Sequence, residues 1–272
     1  MKKLLVRSLT GLLIVGIFLA AVLGGAISCL ILLIILQAGC LREFYQLTEK
    51  LNFRPNKELG QISAAAVLVM TFLTAGGQLS PRIFGLGLLL FPVFFLFQLF
   101  RNTPNGIGNL GISLLGLIYA VLPMSAVSFL VFHSSSNYSP VLFIGLMIII
   151  WTYDSGAYLV GCAIGKHRLF ERISPKKSWE GAIGGLLLAL LSAAVIARFS
   201  MELSIGEWLG FAMVTVIFAT FGDLTESMLK REAGVKDSGH LIPGHGGLLD
   251  RFDSVLIAVP AVVAFLWLIR FF

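Results

Sequence analysis

The 272-residue chain is 57% hydrophobic and only 12% charged, whereas a soluble domain is about 25% charged and less apolar. This composition excludes a soluble globule, which needs polar surface, and it excludes disorder, which needs few apolar residues. The net charge of +6 does not indicate nucleic-acid binding, because no basic stripe interleaved with aromatic residues is present. The three cysteines are too few and too scattered for a disulfide framework or a thiolate metal site.

Apolar runs long enough to cross a bilayer recur along the chain, since a hydrocarbon core of about 30 Å requires about 20 helical residues. These runs predict an all-α fold, a polytopic integral membrane helical bundle. The fifth run is long and contains Pro123, which predicts a kink or a break there. We predict nine spans, near 8–24, 26–41, 60–76, 83–100, 107–132, 140–163, 179–197, 206–226 and 252–271.

The N-terminus is basic and then apolar, which is also typical of a signal peptide. An equally apolar run follows after only Gly24 and Gly25. A retained helical hairpin is therefore the favoured interpretation, and a cleaved signal peptide is the alternative.

Lys and Arg residues are distributed unevenly between the two predicted sides of the membrane. Of the 20, 17 fall on the side of the N-terminus. Because positive charge is retained on the cytoplasmic face, we expect a cytoplasmic N-terminus and an outside C-terminus. The two richest polar loops, 164–178 and 227–251, would then both face the cytoplasm.

Ionisable side chains lie inside two of the predicted spans, where each costs about 2.5–3.5 kcal/mol on insertion scales and by default indicates function. Asp154 lies well inside the sixth span, and Asp223 and Glu226 lie near the cytoplasmic end of the eighth. The structural alternative for Glu226 is an ion pair with Lys230, four residues along the same helix face. For Asp154 the alternative is a carboxylate that bridges helices.

Small residues surround Asp154 in the sequence and would let another helix or a ligand approach closely. We expect Asp154 and Asp223 to line a polar cavity that opens to the cytoplasm. The small residues are Ser155, Gly156, Gly161 and Gly165.

The segment 227–253 contains the densest chemistry of the chain. Glycines let a backbone approach a ligand and present N–H groups to anionic oxygens, while Lys and Arg attract phosphates. Carboxylates suit Mg²⁺, which usually keeps substrate phosphates as ligands. The combination indicates a nucleoside triphosphate with magnesium. A zinc site at His245 is disfavoured, because no ligand at metal-binding spacing accompanies it.

The same segment resembles the signature of the phosphatidate cytidylyltransferases, also called CDP-diacylglycerol synthases, and fills every specified position. Two other stretches, 151–158 and 174–181, are also similar to patterns of that family. The resemblance is specific for about residues 150–253, and the first 140 residues match only as apolar helices. The matching residues are Ser227, Leu229, Lys230, Arg231, Lys236, Asp237, Gly239, Ile242, Pro243, His245, Gly246, Gly247, Leu248, Asp250, Arg251, Phe252 and Asp253.

The resemblance implies that CTP and phosphatidate give CDP-diacylglycerol and pyrophosphate, with Mg²⁺, alone or with a second cation, as the cofactor. It also implies a multi-pass protein of the bacterial plasma membrane, a homodimer, and no nucleic-acid partner. This interpretation divides the chain into N-terminal membrane helices, 1–139, and catalytic membrane helices, 140–272.

The resemblance also suggests roles for individual residues. Asp223 and Asp250 would be the main metal ligands, and Asp154 a third ligand or the partner of a cation. His245, Gly246 and Gly247 would form a backbone cradle. Lys230, Arg231, Lys236 and Arg251 would face the phosphates. Lys176 and Lys177 would either bind phosphate or only supply the positive charge that keeps their loop on the cytoplasmic side. Ser227 would belong to the substrate site. Asp237 and Asp253 would orient Lys or Arg.

Three other classes of membrane protein are alternatives to this interpretation. A CTP-using polyprenol kinase also combines apolar helices with a basic nucleotide loop, but the filled signature favours the cytidylyltransferase. The aspartate pattern of the CDP-alcohol phosphotransferases is missing from the chain. A secondary transporter would be favoured by internal repeats, and none is evident.

Overall fold

A computed structural model describes residues 2–133, 137–239 and 246–270, and most of them are helical. A 3₁₀ turn covers Pro81–Ile83, a π-helical turn covers Leu117–Val121, and two short strands are β1 (Arg168–Phe170) and β2 (Ser174–Ser178). The helices are α1 (Lys2–Leu23), α2 (Ala26–Lys50), α3 (Lys57–Ala75), α4 (Phe84–Gly87), α5 (Leu90–Phe100), α6 (Gly106–Gly116), α7 (Leu122–Val131), α8 (Val141–Ile164), α9 (Trp179–Phe199), α10 (Ile205–Glu232) and α11 (Leu249–Arg270).

The predicted fold class, an all-α polytopic membrane protein, is confirmed. Within the described residues, eight helical runs are long and apolar enough to cross a membrane, and they coincide with the second to ninth predicted spans. The first predicted span coincides with α1, whose described apolar part, Gly11–Leu23, is shorter. Helix α2 continues to Lys50, well beyond the predicted end at 41.

The fifth predicted span continues through Pro123 rather than breaking there. A π-helical turn, Leu117–Val121, lies between α6 and α7 and immediately precedes the proline. Proline has no backbone N–H to donate to the preceding turn, and a wider π turn is one way in which a helix absorbs such an interruption.

The chain divides into two compact units. The first is Met1–Pro140 together with Glu232–Phe252. Its core contains large side chains of α2, including Leu41, Phe44 and Tyr45, which are at most 1% exposed. The Tyr45 hydroxyl donates to the carbonyl oxygen of Ser113 at 2.8 Å, which satisfies a polar group that burial would otherwise penalise.

The second unit is Val141–Arg231 together with Asp253–Phe272, and helices α8 and α9 pack closely within it. A Cβ atom at Gly181 would lie 2.7 Å from the Ala157 carbonyl oxygen and 3.2 Å from Gly161 Cα. The small residues near Asp154 thus admit another helix, as predicted.

Helices α10 and α11 also come close within the second unit. A Cβ atom at Gly222 would lie 2.9 Å from Ser254 Cα, so the two backbones are nearly in contact at this point. The approach brings the neighbours Asp223 and Asp253 to the same end of the two helices.

Strands β1 and β2 form an antiparallel hairpin in the loop between α8 and α9, with Arg168 opposite Ser178. The sequence analysis did not predict these strands. The hairpin leads directly into α9, whose N-terminus is capped by the Ser178 hydroxyl accepting from the Gly181 N–H at 3.2 Å.

Candidate functional site

A cavity of about 500 Å³ lies within the second unit. Asp154 of α8 and Asp223 of α10, which were expected to line one cavity, both line it. The hairpin contributes cations to the lining, and the helices contribute carboxylates. The charged residues that line the cavity are Asp154, Arg168, Lys176, Lys177 and Asp223.

Asp223 is held by two neighbours. The Lys177 Nζ atom lies 2.6 Å from Asp223 Oδ2, and both side chains are about 30% exposed, at 28% and 31%. The Ser227 hydroxyl, one helical turn further along α10, donates to Asp223 Oδ1 at 3.2 Å. The structure thus brings Lys177, Asp223 and Ser227 together, three residues that the sequence analysis assigned to the site.

Asp154 and Asp253 lie close enough to Asp223 and Lys177 to interact electrostatically with both. Three carboxylates from α8, α10 and α11 therefore share the surroundings of Lys177. Asp253 was expected from the sequence to orient a Lys or Arg, and its position among carboxylates was not predicted. Carboxylates that are grouped in this way attract cations.

Tyr153, next to Asp154, links α8 to α10. Its hydroxyl lies 2.6 Å from Thr220 Oγ1, and the Thr220 hydroxyl donates its own hydrogen to the Val216 carbonyl at 2.8 Å. Because a hydroxyl has one hydrogen, Tyr153 must be the donor to Thr220. This bond fixes the α8 turn that presents Asp154.

The hairpin that carries Lys176 and Lys177 is tied to the first turn of α9. Glu180 accepts hydrogen bonds from the N–H groups of Lys166 and His167, and its Oε1 atom lies 2.6 Å from His167 Nδ1. The Trp179 N–H donates to the His167 carbonyl at 2.9 Å. These contacts hold the two ends of the hairpin together and so limit where its lysines can go.

Asp250 belongs to the first unit, at the N-terminus of α11. Its Oδ2 atom accepts from the Gly247 N–H at 2.7 Å, the Ser238 N–H at 3.0 Å and the Ser238 hydroxyl at 3.0 Å. Gly246 has a φ angle of +81°, which glycine adopts without strain. The segment thus turns back on itself and fixes the Asp250 carboxylate.

Glu43 of α2 contacts the same segment and was missed by the sequence analysis. Its side chain is 1% exposed. Its Oε1 accepts from the Leu248 N–H at 2.9 Å, and its Oε2 accepts from the Leu249 N–H and the Ser238 hydroxyl, each at 2.8 Å. One signal was present in the sequence, because Glu43 falls on the apolar stripe with Cys40 and Leu47.

The remaining predicted site residues are less closely tied to these two groups. Lys230 forms an ion pair with Glu226, a residue that is only 1% exposed, which confirms the structural interpretation of Glu226. The Gly247 N–H, expected in a phosphate cradle, donates to Asp250 instead. His245 lies outside the described residues. The side chains of Arg231, Lys236, Asp237 and Arg251 are exposed.

The predicted metal ligands divide between the two units, with Asp154 and Asp223 in the second and Asp250 in the first. Over the residues that the structure describes, no group of three or more His, Cys, Asp or Glu side chains is arranged to hold a metal ion. The donor chemistry nevertheless fits a hard cation, since carboxylate oxygens are the ligands that Mg²⁺ prefers. That one metal ion binds Asp154, Asp223 and Asp250 stays a prediction.

Comparison with known proteins gives consistent matches over nearly the whole chain. The sequence model of the "Cytidylyltransferase family" matches residues 5–269. A phosphatidate cytidylyltransferase of Staphylococcus epidermidis is 33% identical over 262 residues, which are 94% of this chain and 96% of that protein. One from Staphylococcus haemolyticus is 31% identical over 94% of this chain and 96% of its own length. One from Haemophilus influenzae is 50% identical over 124 residues, 44% of this chain and 43% of that protein.

Proposed function

The chain belongs to the cytidylyltransferase family and is a nucleotidyltransferase, and from that premise we propose that it is a phosphatidate cytidylyltransferase. It would convert CTP and phosphatidate to CDP-diacylglycerol and pyrophosphate, in the synthesis of phospholipids. The relatives that match over almost their full length carry this activity in their names.

The observation that carries the proposal is the charge arrangement in the cavity of the second unit. Arg168, Lys176 and Lys177 line it from the hairpin, and Asp154 and Asp223 line it from the helices. A triphosphate needs cations for its oxygens and, when it is bound with a metal, carboxylates for the metal. One cavity with both kinds of group suits such a ligand better than a cavity of one sign.

We propose that the carboxylates of Asp154, Asp223 and Asp250 hold Mg²⁺, alone or with a second cation. Bound there, the metal would supply positive charge to the triphosphate. Lys177, which already pairs with Asp223, would stay at the site as a further positive group.

The reaction is an in-line displacement at phosphorus. A phosphate oxygen of phosphatidate attacks the α-phosphorus of CTP, and the bond to the β-phosphate oxygen breaks as pyrophosphate leaves. The nucleophile is already an anion near pH 7, so no general base is required. The contribution of the protein is therefore positioning and neutralisation of charge.

The cationic residues of the two polar loops complete the proposal for substrate binding. Lys176 and Lys177 of the hairpin face the cavity, and Lys230, Arg231, Lys236 and Arg251 are proposed to face the phosphates of CTP and lipid. Ser227 and Asp237 would hold these groups in place, and His245, Gly246 and Gly247 would contribute backbone to the nucleotide site.

The two substrates come from different phases, the lipid from the membrane and the nucleotide from water, and a membrane enzyme can bind both. The acyl chains of phosphatidate stay in the leaflet, while CTP comes from water. We propose a multi-pass protein of the bacterial plasma membrane with the N-terminus and the active site on the cytoplasmic side, because 17 of the 20 Lys and Arg fall there in the predicted topology. A homodimer is proposed as well, and light scattering in detergent would measure it.

The test is an assay of the detergent-purified protein with phosphatidate, Mg²⁺ and [α-³²P]CTP. We expect label in the lipid product and release of pyrophosphate, and no product when ATP replaces CTP. A kinase would transfer only the γ-phosphate, so [γ-³²P]CTP in a parallel reaction separates the two classes. Label in lipid from the γ position alone would contradict the proposal.

A further inference from the structure

Glu43 is a carboxylate with an unusual environment. It lies on helix α2 of the first unit and is 1% exposed, a position at which a charged group is costly unless it is well compensated. The three donors that compensate it belong to one segment, described at 238–239 and 246–249: the Ser238 hydroxyl and the N–H groups of Leu248 and Leu249.

Two of those donors are at the N-terminus of α11. The first N–H groups of a helix have no partner within the helix, and the helix dipole places positive charge there. Glu43 thus caps α11 from another helix. Asp250 is in the first turn of α11, so the cap acts on the turn that carries this proposed metal ligand.

The third donor links the two carboxylates directly. Ser238 is 5% exposed, and its Oγ atom lies 2.8 Å from Glu43 Oε2 and 3.0 Å from Asp250 Oδ2. The position of this hydroxyl therefore depends on Glu43, and Asp250 in turn rests against the hydroxyl and the Ser238 N–H.

Two glycines of the segment are explained by the same carboxylate. A Cβ atom at Gly239 would lie 2.5 Å from Glu43 Oε1, and one at Gly247 would collide with both Glu43 Oε2 and the Ser238 hydroxyl. A larger residue at either position would push Glu43 out. The close fit on both sides argues that the segment and Glu43 form one packed arrangement.

We propose that Glu43 is a positioning residue for the reaction: it anchors Ser238, Leu248 and Leu249 and thereby fixes the direction of the Asp250 carboxylate. The inference rests on the proposed function, in which Asp250 holds Mg²⁺. It assigns a role to the half of the chain that the sequence analysis described only as apolar helices.

The test compares Glu43→Gln with Gln37→Ala in detergent-purified protein. The Gln side chain keeps the size of Glu but places an NH₂ group against N–H donors, so at least one donor loses its acceptor. Gln37 is a matched control, because it is on the same helix, 1% exposed, and donates to Ala64 rather than to the segment. Two quantities are measured: amide hydrogen exchange of a peptide covering 246–252, and the Mg²⁺ concentration that gives half-maximal activity.

For Glu43→Gln we expect exchange in 246–252 to be about 10-fold faster or more, and the half-saturating Mg²⁺ concentration to rise about 5-fold or more. For Gln37→Ala we expect neither change. A purely structural role would reduce the amount of folded protein without altering the Mg²⁺ dependence of what remains. Ser238→Ala, which removes only the linking hydroxyl, should also raise the half-saturating Mg²⁺ concentration, and it serves if Glu43→Gln does not fold.

Unchanged exchange in Glu43→Gln would overturn the anchoring role. Faster exchange with unchanged Mg²⁺ dependence in Glu43→Gln, or unchanged Mg²⁺ dependence in Ser238→Ala, would overturn the positioning of Asp250. Failure of the proposed function is recognised separately, since the unmodified protein would then form no labelled lipid while the exchange measurement still reports on Glu43.

Discussion

The cavity of the second unit and the Glu43 network of the first unit both place carboxylates in a membrane protein, but they satisfy them differently. Around the cavity, Asp154, Asp223 and Asp253 share the neighbourhood of Lys177, Arg168 and Lys176 also line the cavity, and the cavity is open to a ligand. In the network, Glu43 is almost fully buried, and N–H and O–H donors surround it. Carboxylates at an open cavity that cations also line suit the binding of a ligand, whereas a buried carboxylate with three hydrogen-bond donors suits the holding of a segment.

The largest effect should come from the cavity itself. Asp223→Asn removes a charge from the group of aspartates and leaves Lys177 without its partner, so we expect activity to fall by at least about 100-fold while the protein still inserts and folds. Lipid labelling from [α-³²P]CTP measures it, with the exposed Glu58→Gln as the control. Asp250→Asn should behave similarly, and full activity in either aspartate variant would break the assignment of these carboxylates to binding.

A smaller effect is expected on the cationic side of the cavity. Lys177→Ala removes the ion pair with Asp223. Lys176→Ala removes an exposed lysine that forms no ion pair with any residue that the structure describes. We expect about a 10-fold to 100-fold loss of kcat/KM for Lys177→Ala and a loss of only a few fold for Lys176→Ala. Equal losses would indicate that the pairing with Asp223 is irrelevant and that both lysines act as general positive charge.

The network is tested by two glycines that share a backbone conformation. Gly246 and Gly234 have φ angles of +81° and +67°, so alanine costs about 1–2 kcal/mol of backbone strain at either position. Only at Gly246 would the new Cβ atom lie 2.7 Å from Asp250 Oδ2, while nothing lies within 4 Å at Gly234. We expect both variants to lower the unfolding temperature, Gly246→Ala by more, and we expect about a 10-fold loss of activity for Gly246→Ala alone.

The smallest effect is expected at a carboxylate that belongs to neither group. Glu49 pairs with Lys57 at 2.6 Å, but both side chains are about 40% exposed, at 41% and 42%. Exposed ion pairs contribute about 0–1 kcal/mol, so Glu49→Gln should leave activity unchanged and the unfolding temperature nearly so. A large loss of activity here would show that the contrast between buried and exposed carboxylates has been drawn too sharply.

The fold was largely predictable because hydropathy and helix length determine membrane spans with little help from tertiary contacts. Eight predicted spans coincide with candidate spans of the structure. The errors were at places where backbone contacts decide, such as the hairpin of β1 and β2 and the extension of α2 to Lys50. Neither feature has a strong signal in the local sequence, since the hairpin is short and polar and the end of α2 contains both polar and apolar residues.

The candidate site was predictable only in part. Asp154 and Asp223 stand out because carboxylates are costly in apolar runs, and the structure places both at one cavity. The proximity of Asp253 to Asp223 depends on the close approach of α10 and α11 at Gly222, which no sequence spacing specifies. Glu43 is separated from Ser238 by 195 residues, and a contact over such a separation is decided by packing.

The glycine contact between α8 and α9 has a consequence for genetics. At Gly181 the nearest atoms to an added methyl group include the Ala157 carbonyl oxygen and Gly161 Cα, which belong to the main chain. A second-site suppressor usually relieves a collision by shrinking a neighbouring side chain. Among these nearest atoms only Ser178 Oγ, 3.1 Å away, belongs to a side chain, and removing it would leave the closer collision with the Ala157 carbonyl oxygen. Selection for suppressors of Gly181→Ala should therefore return reversions or changes that respace the helices, and no compensating substitution at Gly161.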